Sequence, residues 1–122
     1  MEGHTYLRTH NLEGEHMLLD IGQALAELHG SSQGAQTRGA VTLVKQDGLS
    51  VVLTHLHAGG SLQEHAAPGP VTVQVLDGHV RVRIEDEVLD VPVGRLLAFR
   101  AQVRHAVEAL EDSTLLLTLV SP

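Results

Sequence analysis

The sequence of 122 residues has no cysteine, no tryptophan, and only one tyrosine and one phenylalanine. Without cysteine the chain cannot form disulfides, thiolate metal sites or a cysteine nucleophile, and it suits a reducing compartment. With so few aromatic side chains and a formal net charge of −7, it also lacks the basic face and the stacking platforms of nucleic-acid-binding proteins. We therefore expect no nucleic-acid partner.

Long apolar runs and hydrolase motifs are missing as well. No stretch approaches the ~20 apolar residues that cross a membrane, and the N-terminus has no apolar block like that of a secretory signal. The Gly-x-Ser-x-Gly motif of serine hydrolases is absent, and strand alternation places nearly every acidic residue in a turn or toward solvent. The sequence therefore predicts a cytoplasmic protein without a membrane partner.

The composition that remains is ordinary for a globular protein, with one unusual feature. Hydrophobic residues make up 43% and charged residues 19%, so a chain of this length is expected to bury a real core. Nine residues are histidine. Because imidazole is the commonest metal ligand and titrates near neutral pH, the position of each histidine matters more than their number.

Residues 1–39 are predicted to form an N-terminal extension that carries a short helix over about residues 20–29. Asp20 is a candidate N-cap for this helix. Four apolar residues fall on one helical face: Ile21, Ala24, Leu25 and Leu28. The segment that follows, from His29 to Gly39, has the composition of a loop.

Residues 40–122 are predicted to form an all-β domain. Short β-branched segments alternate there with turn signals such as Asp47-Gly48 and Asp77-Gly78. Short strands at regular intervals are typical of sandwiches and barrels.

Alternation within two of these segments predicts which side chains face the barrel interior. In residues 71–75 the valines share one face, while the uncharged Thr72 and Gln74 share the other. In residues 103–109, His105 is in phase with the apolar residues of the segment. The side chain of His105 is therefore predicted to point into the barrel.

Two parts of this β domain resemble the conserved motifs of the cupin superfamily. Residues 62–65 (Leu-Gln-Glu-His) follow a glycine-rich turn and lead into residues 71–78, which resemble the first motif. Residues 92–94 (Pro-Val-Gly) and 103–107 resemble the second motif, in which a histidine ends a tight turn. The chain is similar to small single-domain cupins of an uncharacterised bacterial group. The resemblance implies a double-stranded β-helix, or jelly-roll barrel, with the short helix at its N-terminal end.

The resemblance also implies a metal site inside the barrel. Cupins hold a divalent metal with two histidines and a glutamate from the first motif and one histidine from the second. Position by position, His65 and His105 match two of these ligands, whereas Ala67 and Val71 stand at the other two positions. His57 is the candidate for a further ligand. The metal would be Fe, Mn, Ni or Zn.

Two hypotheses about function follow. In the first, the chain is a non-enzymatic or regulatory protein that binds a small molecule, a divalent metal or both through His65 and His105, with Val73 and Phe99 in the wall of the site. In the alternative, it is a metal-dependent oxygenase or isomerase with a degenerate cupin metal site. Glu64 is then the one acid or base that the sequence offers nearby.

A homodimer is expected as well, because small cupins generally pair. Thr72 and Gln74 support an interface, since a solvated strand face usually carries charge. Other polar side chains are predicted to lie at the surface: Arg81 and Arg83 as a solvated sheet face, His55 and His57 as a partly exposed strand face, and His4, His10, His16 and His29 as solvated histidines.

Overall fold

The structure is a computed structural model that describes residues 15–31 and 38–121. The described residues form one helix, α1, over Ile21–Ser31, close to the predicted bounds. It begins at Asp20, whose carboxylate oxygen accepts a hydrogen bond from the backbone N–H of Gln23 at 3.0 Å, as an N-cap does. This helix is neither long nor apolar enough to cross a membrane. The predictions for His4 and His10 lie outside the described residues.

Nine strands follow α1 in the described part of the chain. Their bounds are β1 Arg38–Gln46, β2 Leu49–Leu56, β3 Ser61–Ala66, β4 Val71–Asp77, β5 His79–Ile84, β6 Glu87–Pro92, β7 Leu96–Phe99, β8 Arg104–Ala109 and β9 Ser113–Val120. The predicted turn at Asp47-Gly48 joins β1 to β2 with φ angles of 42° and 85°. Positive φ at both positions is the conformation that two-residue hairpin turns require.

The strands form two antiparallel sheets, one of five strands in the order β1-β2-β9-β4-β7 and one of four in the order β3-β8-β5-β6. From β2 onward the chain passes repeatedly from one sheet to the other. Such crossing between two facing antiparallel sheets is typical of a jelly roll. The fold is therefore the predicted all-β barrel with a short N-terminal helix.

The main core lies between the two sheets. Val71, Val73 and Val75 are buried, whereas Thr72 is half-buried and Gln74 is exposed, which confirms the alternation predicted for β4. The cluster consists of Leu56, Ala67, Val71, Val73, Val75, Val80, Val82, Val91, Val107, Ala109 and Leu115. The valines thus fill the barrel interior.

A second apolar cluster lies on the outer face of the five-stranded sheet, where α1 covers it. Ala24 and Leu28 are almost fully buried and pack against a group that includes Leu43 and Leu53. Because Leu56 belongs to the barrel core instead, strand β2 is covered on both faces. This packing sets the direction of the histidines that lie near the end of β2.

Candidate functional site

His65 and His105 lie side by side on neighbouring strands and are called here the histidine pair. Their Cα atoms are in direct register between β3 and β8, and the ring centroids are 4.2 Å apart with the ring planes at 60°. His105 is 5% exposed, which confirms that it points inward, whereas His65 is open to solvent. One ring of the pair is therefore buried and the other is accessible.

Both rings of the pair use Nδ1 to bond their own strand. Nδ1–H of His65 donates to the carbonyl of Gln63 at 2.9 Å, and Nδ1–H of His105 donates to the carbonyl of Val103 at 3.0 Å. A carbonyl oxygen only accepts, so each neutral ring must carry its proton on Nδ1. Nε2 of each ring then carries a lone pair that can accept a hydrogen bond or bind a cation.

The surroundings of His105 keep its ring neutral. Burial is the largest influence and lowers the pKa of His105 below its usual 6.5, the hydrogen bond to Val103 acts in the opposite direction, and the nearby His65 lowers the pKa further. Burial disfavours the imidazolium because the charged form loses its hydration. At neutral pH, His105 therefore presents an acceptor at Nε2.

Of the two predicted wall residues, the structure brings Phe99 to the pair. The ring centroid of Phe99 is 4.4 Å from that of His105. Val73 is 2% exposed and lies within the filled core, so it offers no surface to a ligand. An open groove of about 610 Å³ lies along β3 from Gly59 to His65, so that His65 is the member of the pair that lines it.

A β-bulge in β3 decides which side chains join the site. The register with β8 shifts between Leu62 and His65, so β3 carries one extra residue there. Strict alternation from Leu62, which packs on the core, would turn Glu64 inward and His65 outward. The bulge reverses both directions. The residue pattern alone gives no signal for its position.

Glu64 consequently lies on the outer face of the four-stranded sheet. Its Oε1 accepts a hydrogen bond from Nη2 of Arg104 at 3.2 Å, and its Oε2 is 4.0 Å from Nη2 of Arg83. The expectation that Glu64 serves as an acid or base at the pair is therefore wrong. Arg81 is also exposed, with its Nε 3.6 Å from Oδ1 of Asp90, so both arginines of β5 face solvent as predicted.

The side chains around the histidine pair do not fit a catalytic metal centre. Ala67 and Val71, at the two other positions that cupin ligands would occupy, are buried apolar residues. In residues 15–31 and 38–121, no group of three or more His, Asp or Glu side chains is placed to hold a metal ion. A catalytic metal is generally held by at least three protein ligands. The pair supplies two.

The structure does not bring His57 to the pair. His57 and His55 belong to a separate group with His29 of α1, called here the outer histidine cluster. Nδ1 of His55 is 3.2 Å from Nε2 of His29, the rings of His55 and His57 are 5.0 Å apart, and Nδ1 of His57 is 3.8 Å from Oδ1 of Asp112. Because Leu56 faces the core, its neighbours face α1. His55 is thus 7% exposed, not partly exposed as predicted.

A family model described as a cupin domain matches residues 52–121, more than half of the chain. The chain belongs to the cupin family. This agrees with the two motifs and with the jelly-roll topology. A search of curated proteins finds no match.

Several solved structures resemble this one at low sequence identity. A conserved protein of unknown function from Streptococcus pyogenes is 26% identical with a TM-score of 0.71, covering 99% of this chain and 98% of that one. A cupin 2 conserved barrel domain protein from Leptotrichia buccalis is 29% identical with a TM-score of 0.69, covering 76% of this chain and 45% of that one. Salicylate 1,2-dioxygenase from Pseudoaminobacter salicylatoxidans is 19% identical with a TM-score of 0.66, covering 82% and 31%. The likeness to salicylate 1,2-dioxygenase shows only that the two chains share a fold.

Proposed function

We propose that this cupin is a non-enzymatic or regulatory protein that binds a small molecule carrying an O–H or N–H donor at the histidine pair, without a metal. The observation that carries the proposal is the hydrogen bonding of the two rings. Each Nδ1 is used by a backbone carbonyl, so two Nε2 acceptors are left on rings 4.2 Å apart. Two adjacent Nε2 acceptors suit a ligand that carries an O–H or N–H donor.

The apolar surroundings define the rest of the ligand. Phe99 contacts His105, and apolar residues fill the interior beneath it. A ring or short aliphatic group on the ligand would pack against Phe99, which is half-buried, since ligand sites combine apolar contact with a few placed polar groups. The ligand would approach from the solvent side of His65, along the groove beside β3.

The alternative of a metal-dependent oxygenase or isomerase has less support. It needs a third ligand and a nearby acid or base, but Glu64 is held by arginines on the outer face and His57 belongs to the outer cluster. The likeness to salicylate 1,2-dioxygenase is at 19% identity, too low to carry an activity over. We therefore derive no reaction step for this chain.

Phenol is a suitable first probe, because it combines an O–H donor with a ring that fits beside Phe99. Anisole is the matched control, since it has the same ring but no donor. The measurement is the ¹⁵N chemical shift of each histidine nitrogen by NMR during titration. Phenol should move the Nε2 resonances of His65 and His105 together, whereas anisole should leave them in place.

The double substitution His65→Ala/His105→Ala should abolish the response to phenol, as followed on the backbone amides of β3 and β8. The matched control is His79→Gln, at a histidine near Asp90 on the outer face, which should leave the response unchanged. Equal shifts with phenol and anisole, or a response that survives the double substitution, would contradict the proposal.

A homodimer is the second part of the proposal, and one sheet face supports it. The outer side of β9, β4 and β7, called here the uncharged face, consists of Thr72, Gln74, Leu96, Ala98, Thr118 and Val120. Leu96 is 64% and Val120 is 42% exposed. None of these six residues is charged, although 19% of all residues in the chain are. β7 is also one of the two edge strands of its sheet, and an uncovered edge favours pairing with a second copy.

A further inference from the structure

The outer histidine cluster lies away from the proposed ligand site and has no part in it. One ring of the cluster belongs to α1, and the other two belong to β2 and the residue that follows it. The helix stays docked only while it remains in contact with β2. His29 lies near the C-terminal end of α1, and His55 lies in β2 beneath that helix, followed by His57. The contact between His29 and His55 is therefore a link between helix and sheet.

The link between His29 and His55 depends on protonation. The two nitrogens, Nε2 of His29 and Nδ1 of His55, are 3.2 Å apart, and the ring centroids are 4.4 Å apart. A hydrogen bond between them requires that one nitrogen carry a proton and the other a lone pair. When both rings are imidazolium, two N–H groups meet and two positive charges repel each other.

Burial, together with the neighbouring histidines, makes protonation of His55 unfavourable. Burial is the largest influence and lowers the pKa of His55 below 6.5, His29 and His57 lower it further, and Asp112 and Asp77 oppose them. Thr114, the polar neighbour on β9, lies 3.4 Å from Nδ1 and carries no charge. The strand position opposite His55 on β1 is a glycine.

One of the two opposing carboxylates has other contacts. Oδ1 of Asp112 accepts a hydrogen bond from the backbone N–H of Ala58 at 2.8 Å and lies 3.8 Å from Nδ1 of His57. The hydrogen bond from Ala58 is the largest cause that lowers the pKa of Asp112. This carboxylate therefore stays ionised and lies beside His57.

We propose that the outer histidine cluster is a pH-sensitive latch, which holds α1 on the five-stranded sheet at neutral pH and releases it as His55 becomes protonated. The direction follows from the pKa of His55. Because the docked state binds the proton less well than the undocked state, acid shifts the equilibrium toward undocking. Release would expose the apolar residues that α1 covers, including Leu43 and Leu53.

Hydrogen exchange with mass spectrometry tests the latch on the full chain. Protection of residues 21–31 is compared at about pH 7.5 and about pH 5.5, on either side of the usual histidine pKa, after division by the intrinsic exchange rate at each pH. In the native protein, protection of this segment should fall several-fold at the lower pH. Protection of β4, in the barrel core, should fall less than that of 21–31, since it reports only the stability that the whole domain loses.

Two variants test the link, and each removes one of its two imidazoles. His55→Asn places an amide near the position of Nδ1. His29→Gln removes the imidazole of the exposed partner, where a substitution disturbs the fold least. His55→Asn should make the protection of 21–31 independent of pH. His29→Gln should reduce the pH dependence without abolishing it, because His55 remains buried there. The control His79→Gln should behave like the native protein. If His55→Asn fails to fold, His29→Gln decides the question alone.

Three results would overturn the latch. The first is equal protection of 21–31 at both pH values in the native protein. The second is a parallel loss of protection in α1 and β4, which would mean that the whole domain unfolds. The third is a pH dependence in His29→Gln as large as that of the native protein. None of these results bears on phenol binding at the histidine pair, so the two proposals fail separately.

Discussion

The imidazoles of His65 and His105 meet across neighbouring strands with ring centroids 4.2 Å apart, and each bonds through Nδ1 to the carbonyl two residues earlier in the chain. The same local hydrogen bond is thus made twice, on two paired strands. It fixes the tautomer of both rings without any carboxylate. A pair held in this way offers two acceptors to a ligand, whereas a catalytic metal would still need a third protein group.

Alanine substitution should lower the free energy of unfolding more at His105 than at His65. His105→Ala should lower the free energy of unfolding by about 1–3 kcal/mol, because it leaves a cavity beside Phe99 and removes the partner of a carbonyl. His65→Ala, at an exposed position, should change it by less than about 1 kcal/mol. Urea denaturation measures both. Equal losses from the two substitutions would contradict the assigned burial.

The pH dependence of His105 gives a second prediction. Burial lowers its folded-state pKa below the unfolded value of 6.5, so its contribution to stability is present above the unfolded pKa and is lost as pH falls below it. The ring ¹³C and ¹H resonances of His105 should therefore titrate with a midpoint under the ordinary histidine value. A midpoint at or above that value would show that the ring is not desolvated as described.

Glu64 provides a third prediction, because sequence and structure disagree on it. Its carboxylate faces Arg83 and Arg104, so Glu64→Gln should leave phenol binding unchanged and alter stability by less than about 1 kcal/mol. Glu108→Gln, at another exposed position of the same outer surface, is the matched control. A loss of phenol binding in Glu64→Gln alone would place this carboxylate at the site.

The uncharged face gives a fourth prediction. Leu96→Glu should convert the proposed dimer to a monomer, because two like charges would be buried where the copies meet. Val88→Glu introduces the same charge at a side chain that is 56% exposed on the other sheet, and it should leave the dimer intact. Light scattering coupled to size-exclusion chromatography gives the mass. A monomeric native protein, or a dimeric Leu96→Glu variant, would refute this interface.

Some features of the fold could be predicted because they depend on local patterns. Alternation placed Val71 and Val73 in the core and turned His105 inward, and the Asp47-Gly48 turn was visible from its residue types. Each of these depends on a few consecutive residues, whose side-chain directions follow from the strand period of two. The structure confirms all three.

Other features could not be predicted because they depend on distant parts of the chain. The bulge that turns Glu64 outward is defined by the pairing of β3 with β8, and no residue type marks its position. The direction of His55 is decided by α1, which covers the outer face of β2. Both faces of β2 are apolar, so alternation could not tell the barrel side from the helix side.

The histidine pair is proposed to bind its ligand without a metal. Elemental analysis by inductively coupled plasma mass spectrometry tests this most directly. Tag-free protein is purified without added metal and is measured beside the His65→Ala/His105→Ala variant. We predict that neither protein holds Fe, Mn, Ni or Zn near one equivalent per chain. Near-stoichiometric metal in the native protein that is lost in the variant would contradict the account and would require a third ligand at the pair.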